Sequence, residues 1–158
     1  MRRRAITVTD SGPPLTAADL VVCAARIGRP IPPAYRRFLR RHNGGHPDPA
    51  DFCFAGSADD GGSVAAFLGV NAVASLDLAG YQHTYRDRIP PTMFPIARDP
   101  GGNLILLVSG GPDTGTVYFW DHEAEAAAGA PPLRRPNADC RQFCRLPARL
   151  GQPLVKPV

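Results

Sequence analysis

The sequence contains no uncharged apolar run that approaches the ~18 residues typical of a transmembrane helix. Its first 14 residues, MRRRAITVTDSGPP, carry a basic cluster but no apolar stretch of the kind that a secretory signal peptide requires. These absences predict a cytoplasmic protein. Cysteine is also scarce, and in a reducing compartment we expect its four side chains to be buried thiols. The four are Cys23, Cys53, Cys140 and Cys144.

The length of 158 residues suits one domain with a core and is short for two. The apolar share of 44% is ordinary for a folded protein, while 18 prolines and 16 glycines predict frequent turns. We expect a flexible tail over residues 1–14, one domain over 15–150 and a C-terminal tail over 151–158.

The net charge of +4 is unevenly distributed along the chain. Residues 1–50 carry a net charge of +6, residues 51–128 carry −7, and residues 129–158 carry +5. A uniformly basic nucleic-acid binder does not have this pattern. It predicts basic helices that flank an acidic, strand-rich middle, part of which is free to face a basic partner.

The first helix is predicted to follow Thr16, whose hydroxyl suits an N-cap. Leu20, Cys23 and Ile27 then recur at helical spacing. Gly28 suits the C-terminal cap because glycine tolerates a positive φ.

The second helix is predicted to begin near Pro33 and to end at Asn43, Gly44 and Gly45. Its apolar stripe consists of Tyr35, Phe38 and Leu39. Its opposite face is basic and consists of Arg36, Arg37, Arg40 and Arg41.

The rest of the chain predicts mainly strands. A third helix is expected within residues 71–89, with Asn71 or Ser75 as its cap. The apolar runs FPIA, NLILLVS and TVYFWDH are separated by RDPGG and GGPDTG, a spacing typical of an antiparallel meander. A last short helix is expected over residues 137–150.

The glycines of the segment ARDPGGNLIL suit either a phosphate-binding loop or a turn of the chain. It has no Gly-Lys-Ser/Thr ending, and an apolar strand follows it where a phosphate loop needs a helix. Asp99 would also repel a phosphate. Asp, Pro, Gly and Asn are turn residues, so we interpret the segment as a turn.

Three stretches occur in an order that resembles a known family. IPPAYRRFLRRHNGG is followed by FPIARDPGGNLILL and then by TGTVYFWDHE. This order resembles the SUKH superfamily, named for its Smi1/Knr4 members, over residues 15–146. The matching positions of the helix are Pro33, Tyr35, Phe38, Leu39, Asn43, Gly44 and Gly45. The matching positions of the strands and their turn are Pro95, Ile96, Ala97, Asp99, Gly101, Gly102, Asn103, Val117, Tyr118, Asp121 and His122.

The resemblance implies an α+β fold, in which helices pack around an antiparallel sheet. It also implies a non-enzymatic protein-binding role without a cofactor, since the matched residues are scaffold residues. Many bacterial members look like immunity proteins that neutralise a toxin, and fungal members act as adaptors. Both roles stay open, as does a nucleic-acid-binding role for the arginine-rich helix over residues 33–42.

Other reactive side chains have ordinary structural interpretations. His42 and His46 flank Asn-Gly-Gly, so their rings do not share a helical face as a metal site would need. The cysteines lack the Cys-x-x-Cys spacing of a zinc knuckle. His122 has no nucleophile in the sequence that would make it a general base, and we expect a hydrogen-bonded structural histidine.

The partner surface is expected in the acidic middle, with loops 46–63 and 109–115 docking on a basic toxin surface. Reversing the charges of Asp59, Asp60 and Asp113 should then weaken binding. Aromatic and mixed side chains are further candidates, because exposed aromatic residues make good interface anchors. These are Tyr81, His83 and Trp120.

Overall fold

The protein is described by a computed structural model that covers residues 6–54, 60–70 and 73–124 and the backbone of residues 133–134. None of its described helices is long and apolar enough to cross a bilayer. The last predicted helix, over residues 137–150, lies outside the described residues, as do Cys140 and Cys144.

Two helices follow the first strand, and a third helix separates two runs of strands. In the described ranges the helices are α1 (Ala17–Ile27), α2 (Pro33–Arg41), a 3₁₀ turn (Ala74–Leu76) and α3 (Leu78–Tyr85). The strands are β1 (Thr7–Thr9), β2 (His46–Asp48), β3 (Asp51–Cys53), β4 (Gly61–Ser63), β5 (Ala66–Phe67), β6 (Met93–Arg98), β7 (Leu104–Val108), β8 (Val117–Trp120) and β9 (Leu133–Arg134).

Strands β5 to β9 form one antiparallel sheet in sequence order. Strand β1 pairs with β2, and β3 pairs with β4, in two smaller antiparallel ribbons. The register of β6 against β7 shifts between Pro95 and Ala97. The predicted meander and the predicted α+β class are confirmed.

Helix α1 has the ends that the sequence predicts. The Thr16 hydroxyl accepts from the Asp19 amide at 3.2 Å, and the Thr16 amide donates to the Asp19 carboxylate at 2.7 Å. The Thr16 hydroxyl also donates to the Asp19 carboxylate at 2.7 Å, and the bonds from the Thr16 backbone amide and then from its hydroxyl lower the pKa of Asp19. Gly28 ends the helix with a φ of 74°.

The ends of helix α2 differ from those of α1. It begins at Pro33, whose missing N–H costs nothing in the first turn, and no side chain caps it. Tyr35 and Leu39 are buried, and half-buried Phe38 stacks on Tyr35 and meets Phe67 edge-on. The four arginines occupy the exposed side.

The two faces of the five-stranded sheet carry separate apolar clusters, because neighbouring residues on a strand point to opposite sides. One face contributes Phe94, Ile105 and Val117 to the core that also holds the buried faces of α1 and α2. The other face contributes Met93 and Trp120 to a second cluster, against which tyrosines of α3 pack.

Three expectations are corrected. Residues 7–9, expected in a flexible tail, form strand β1 because their backbone pairs with residues 46–48. The cap of α3 is Asp77, which accepts from the Gly80 amide at 2.9 Å, and Ser75 lies in the preceding 3₁₀ turn. Asn71 lies outside the described residues. Cys53 is disulfide-bonded rather than a thiol, whereas Cys23 is free.

Candidate protein-binding surfaces

The Asn-Gly-Gly motif joins three segments of the chain. The buried Asn43 amide nitrogen donates to the carbonyls of Pro13 at 2.8 Å and Val70 at 2.9 Å. Its side-chain oxygen accepts from the Val70 amide at 2.7 Å. These contacts, which we call the Asn43 junction, position the N-terminal segment and the residues after β5.

Gly45 has to be glycine for steric reasons. Its φ is 111°, and a Cβ there would lie 2.3 Å from the Thr9 carbonyl oxygen. The close approach lets β1 run beside β2. Gly44 has a φ of 71° and also faces backbone, that of Gly69.

The turn between β6 and β7 is closed by side chains. One Asp99 carboxylate oxygen accepts from the Asn103 amide at 2.7 Å, and the other accepts from the Asn103 side chain at 2.8 Å. Gly102 supplies a φ of 89°. The interpretation of this segment as a turn is confirmed, since these hydrogen bonds close the chain between β6 and β7.

His122 belongs to the same hydrogen-bonded unit. The Asn103 side-chain oxygen accepts from the His122 backbone amide at 3.1 Å and lies 2.6 Å from its Nδ1. Because that oxygen only accepts, Nδ1 must carry the proton. The adjacent Asp121 carboxylate accepts from the Glu123 amide at 2.9 Å and closes the strand end. These contacts give His122 a structural role.

Trp120 is not available to a partner, which corrects its place among the partner-binding residues. Its side chain is 0% exposed. It lies under the end of α3, where it meets Tyr85 edge-on and the Arg88 guanidinium sits 5.3 Å from its ring centre. On the same strand Tyr118 is half-buried and Val117 is buried.

Tyr81 and His83 lie on α3 with different exposure. Tyr81 is half-buried and stacks on Tyr85, and burial raises the pKa of its hydroxyl. Of the two, only His83 is exposed.

The predicted acidic residues do not share one surface. Asp113 lies in the β7–β8 turn, where its carbonyl accepts from the Thr116 amide at 3.0 Å. Asp60 lies beside β4, where its carbonyl accepts from the Phe54 amide at 2.8 Å. The β3–β4 ribbon instead joins the sheet at its opposite end, where the Ala65 amide donates to the Arg98 carbonyl. Asp59 lies outside the described residues.

Two aspartates not singled out from the sequence extend the surface around Asp60. Asp48 ends β2 and Asp51 begins β3, and both side chains are exposed without an ion pair to a described residue. Asp51 lies three residues before Phe54, which corresponds to about 10 Å along a strand. The Phe54 amide in turn donates to the Asp60 carbonyl. We call Asp48, Asp51 and Asp60 the acidic edge.

The outer side of α2 is basic. Arg36 is anchored by a hydrogen bond from its Nε to the Ile31 carbonyl at 2.8 Å. None of the four arginines forms an ion pair with a described residue. The nearby His42 has a lowered pKa, first because it is partly buried and second because Arg41 is close. We call the four arginines of α2 the basic face, which consists of Arg36, Arg37, Arg40 and Arg41.

Metal chemistry has no assembled site in the described ranges, where no three His, Cys, Asp or Glu side chains converge. His46 is exposed and contacts the Ala65 carbonyl through Nδ1 at 2.8 Å, while His42 caps α2. The two histidines thus serve separate elements. The features of the described residues that could bind a ligand are the charged surfaces.

The comparisons with known proteins agree with this scaffold. The chain is 32% identical over 114 residues to the SPbeta prophage-derived uncharacterized protein YokK of Bacillus subtilis (strain 168). That similarity covers 61% of this chain and 57% of the relative, so the chain spans little more than half of the relative's length. No solved structure matches the chain.

The family comparison covers most of the chain. Residues 14–134 match the SMI1/KNR4 family (SUKH-1), a range that runs from just before α1 to the end of β9. The range contains the Asn43 junction and the Asp99–Asn103–His122 unit. The chain therefore belongs to the SMI1/KNR4 family, SUKH-1.

Proposed function

We propose that the protein is a non-enzymatic binding module that neutralises a cognate bacterial toxin by direct contact. Membership of SUKH-1 supports a binding role, and the prophage origin of the related YokK supports a setting of genetic conflict. The observation that carries the proposal is the acidic edge, where Asp48 and Asp51 are exposed and form no ion pair with a described residue. A basic toxin surface would complement these carboxylates.

The mechanism is steric and electrostatic. The acidic edge lies on short ribbons that the Asn43 junction and the aromatic contact of Phe52 with Phe119 hold against the core. A rigid, negative edge steers a basic partner and gives it a fixed orientation. The bound toxin loses access to its substrate because the module covers its groove.

The first experiment is capture of partners by the tagged full-length protein from lysate of its own source, with and without nuclease. We expect a stoichiometric protein partner that survives nuclease treatment. That partner, expressed alone in cells, should be toxic, and coexpression of this chain should restore growth. A partner that is harmless alone contradicts the immunity role and favours an adaptor.

The second experiment tests the surface. Reversing Asp48 and Asp51 together to lysine should weaken binding of the captured toxin at least about tenfold and lower its salt dependence. Asp87→Lys is a control for a single charge reversal, because Asp87 is exposed on the turn after α3, and it should leave affinity unchanged. Equal affinity of wild type and the double variant would place the interface elsewhere.

A nucleic-acid-binding function is the second candidate, and the basic face is the observation that favours it. Its arginines repeat at i and i+4, and folding does not neutralise them within the described residues. Replacing Arg37 and Arg40 by glutamine should then weaken binding of a fluorescent oligonucleotide and reduce its salt slope by about 2. Capture of material that nuclease removes would favour this function over toxin binding.

A further inference from the structure

Helix α1 is apolar on nearly all sides. Its eleven residues, AADLVVCAARI, include two charges, Asp19 and Arg26. Leu20, Cys23 and Ile27 are buried in the core. A helix that is apolar all round is typical of a fully buried position, but α1 lies at the surface.

The outer side of α1 carries a continuous apolar stripe. Val21 is 69% exposed and Val22 is 57% exposed, and both belong to the large apolar side chains that the described residues leave in solvent. Ala18 and Ala25 are exposed as well. The positions 18, 21, 22 and 25 follow helical spacing, so the four side chains lie on one face. We call them the α1 stripe.

Local structure does not explain the two valines. A β-branched residue in an exposed helix is less favourable than Ala, Lys or Glu, because its side chain loses rotamer freedom. Water does not favour exposed valine either. A contiguous apolar stripe on a surface helix is one mark of a contact with another chain.

We propose that the α1 stripe is a self-association surface, on which α1 of two copies packs antiparallel about a two-fold axis. Placing the axis between Val21 and Val22 sets Val21 of one copy against Val22 of the other. It also sets Ala18 against Ala25. Each of these contacts joins side chains of equal size, and the alanines let the two helices approach closely.

The charges on α1 select this orientation. Asp19 and Arg26 are seven positions apart and therefore lie on the same flank of the stripe. When two helices pack antiparallel, like flanks meet, so Asp19 of each copy comes near Arg26 of the other, within about 3 Å along the axis. In parallel packing each charge would instead stand beside an uncharged flank of the second copy.

The Arg26 side chain is already held in place. Its guanidinium donates to Asp77 at 3.0 Å, and its side chain is 47% exposed, so N–H groups remain for a second carboxylate. The stripe is small compared with the area that stable dimers bury. We therefore expect a reversible dimer whose population depends on concentration.

Sedimentation equilibrium of the full chain tests the proposal, over about 1 μM to about 1 mM. We expect a monomer–dimer equilibrium in the wild type. Val21→Glu and Val22→Lys should each weaken association at least about tenfold. The two substitutions change the net charge in opposite directions, so weakening by both shows that the lost apolar contact is the cause. Circular dichroism checks that both variants fold.

Arg37→Gln is the matched control. It lowers the net charge by the same unit as Val21→Glu but lies on α2, so it should leave the dimer unchanged. A wild type that stays monomeric over the whole range overturns the proposal. A dimer that persists in Val21→Glu and Val22→Lys overturns it too. A monomer that binds a different protein through the valines would assign the α1 stripe to that partner instead.

Discussion

Helices α1 and α2 pack against the same core and differ on the side that faces away from it. Tyr35 and Leu39 of α2 are buried beside Leu20 and Cys23 of α1. Outside, α2 carries the basic face, whereas α1 carries valines and alanines. The shared core constrains the inner sides to be apolar. The outer sides are free of that constraint, and the proposals above assign them different partners.

The largest effect should come from the inner side of α2. Leu39 is completely buried, so Leu39→Ala removes apolar contacts and leaves a cavity. We expect a loss of about 3 to 4 kcal/mol in the free energy of unfolding, measured by urea denaturation. Arg37→Ala on the same helix should change it by less than about 0.5 kcal/mol. Equal effects would contradict the division into an inner and an outer side.

The ends of the helices should differ next. Asn43→Ala leaves the buried amide and carbonyl of Val70 without their partner, and we expect a loss of about 2 to 3 kcal/mol. Thr16→Ala removes the exposed cap of α1 and should cost about 1 kcal/mol. Thermal and urea unfolding of both variants provide the comparison. A larger loss for Thr16→Ala would show that the α2 end does not depend on the Asn43 junction.

The outer sides should contribute little to stability. Arg37→Glu replaces a repulsive pair with Arg41 by an attractive i, i+4 pair and should stabilise the protein by about 0.5 kcal/mol. Val21→Ala on α1 should stabilise the monomer by a similar amount of about 0.5 kcal/mol, through helix propensity. Urea denaturation at micromolar concentration measures both. A loss of stability in either variant would mean that the outer side makes contacts that hold the fold.

The smallest effect should come from His42 at the end of α2. Burial, and then Arg41, lower the pKa of His42 below 6.5, so the unfolded chain takes up a proton before the folded one. Stability from this group is present above pH 6.5 and is lost as the pH falls through the lowered pKa. His42→Gln should therefore flatten the change in urea midpoint between about pH 7.5 and 5.5. An unchanged profile would assign the acid dependence to other groups.

Much of this architecture is readable from local sequence. Thr16, Gly28, Pro33 and the Asp99–Asn103 turn have the positions predicted for them, because caps and turns depend on nearby backbone. The cap of α3 was predicted wrongly, since Asp77 competes with Ser75 in a segment rich in capping residues. Trp120 was placed wrongly because an aromatic strand carries no sign of which face a helix covers.

The surfaces were harder to predict than the fold. Charge segregation along the chain indicated an acidic middle, but not that Asp113 would lie at one end of the sheet and the β3–β4 ribbon at the other. The α1 stripe is not among the predicted surfaces, because the exposure of Val21 and Val22 is a property of packing.

The sequence by itself determined the family, both ends of α1, the start of α2, the β6–β7 turn and the order of the meander strands. Each of these depends on residues close together in the chain, whose conformational preferences act locally. Tertiary structure alone decided that Asn43 would join residues 13 and 70, that Trp120 would be buried, and that the basic face and α1 stripe would stay exposed. Those outcomes depend on which distant segments exclude water from one another.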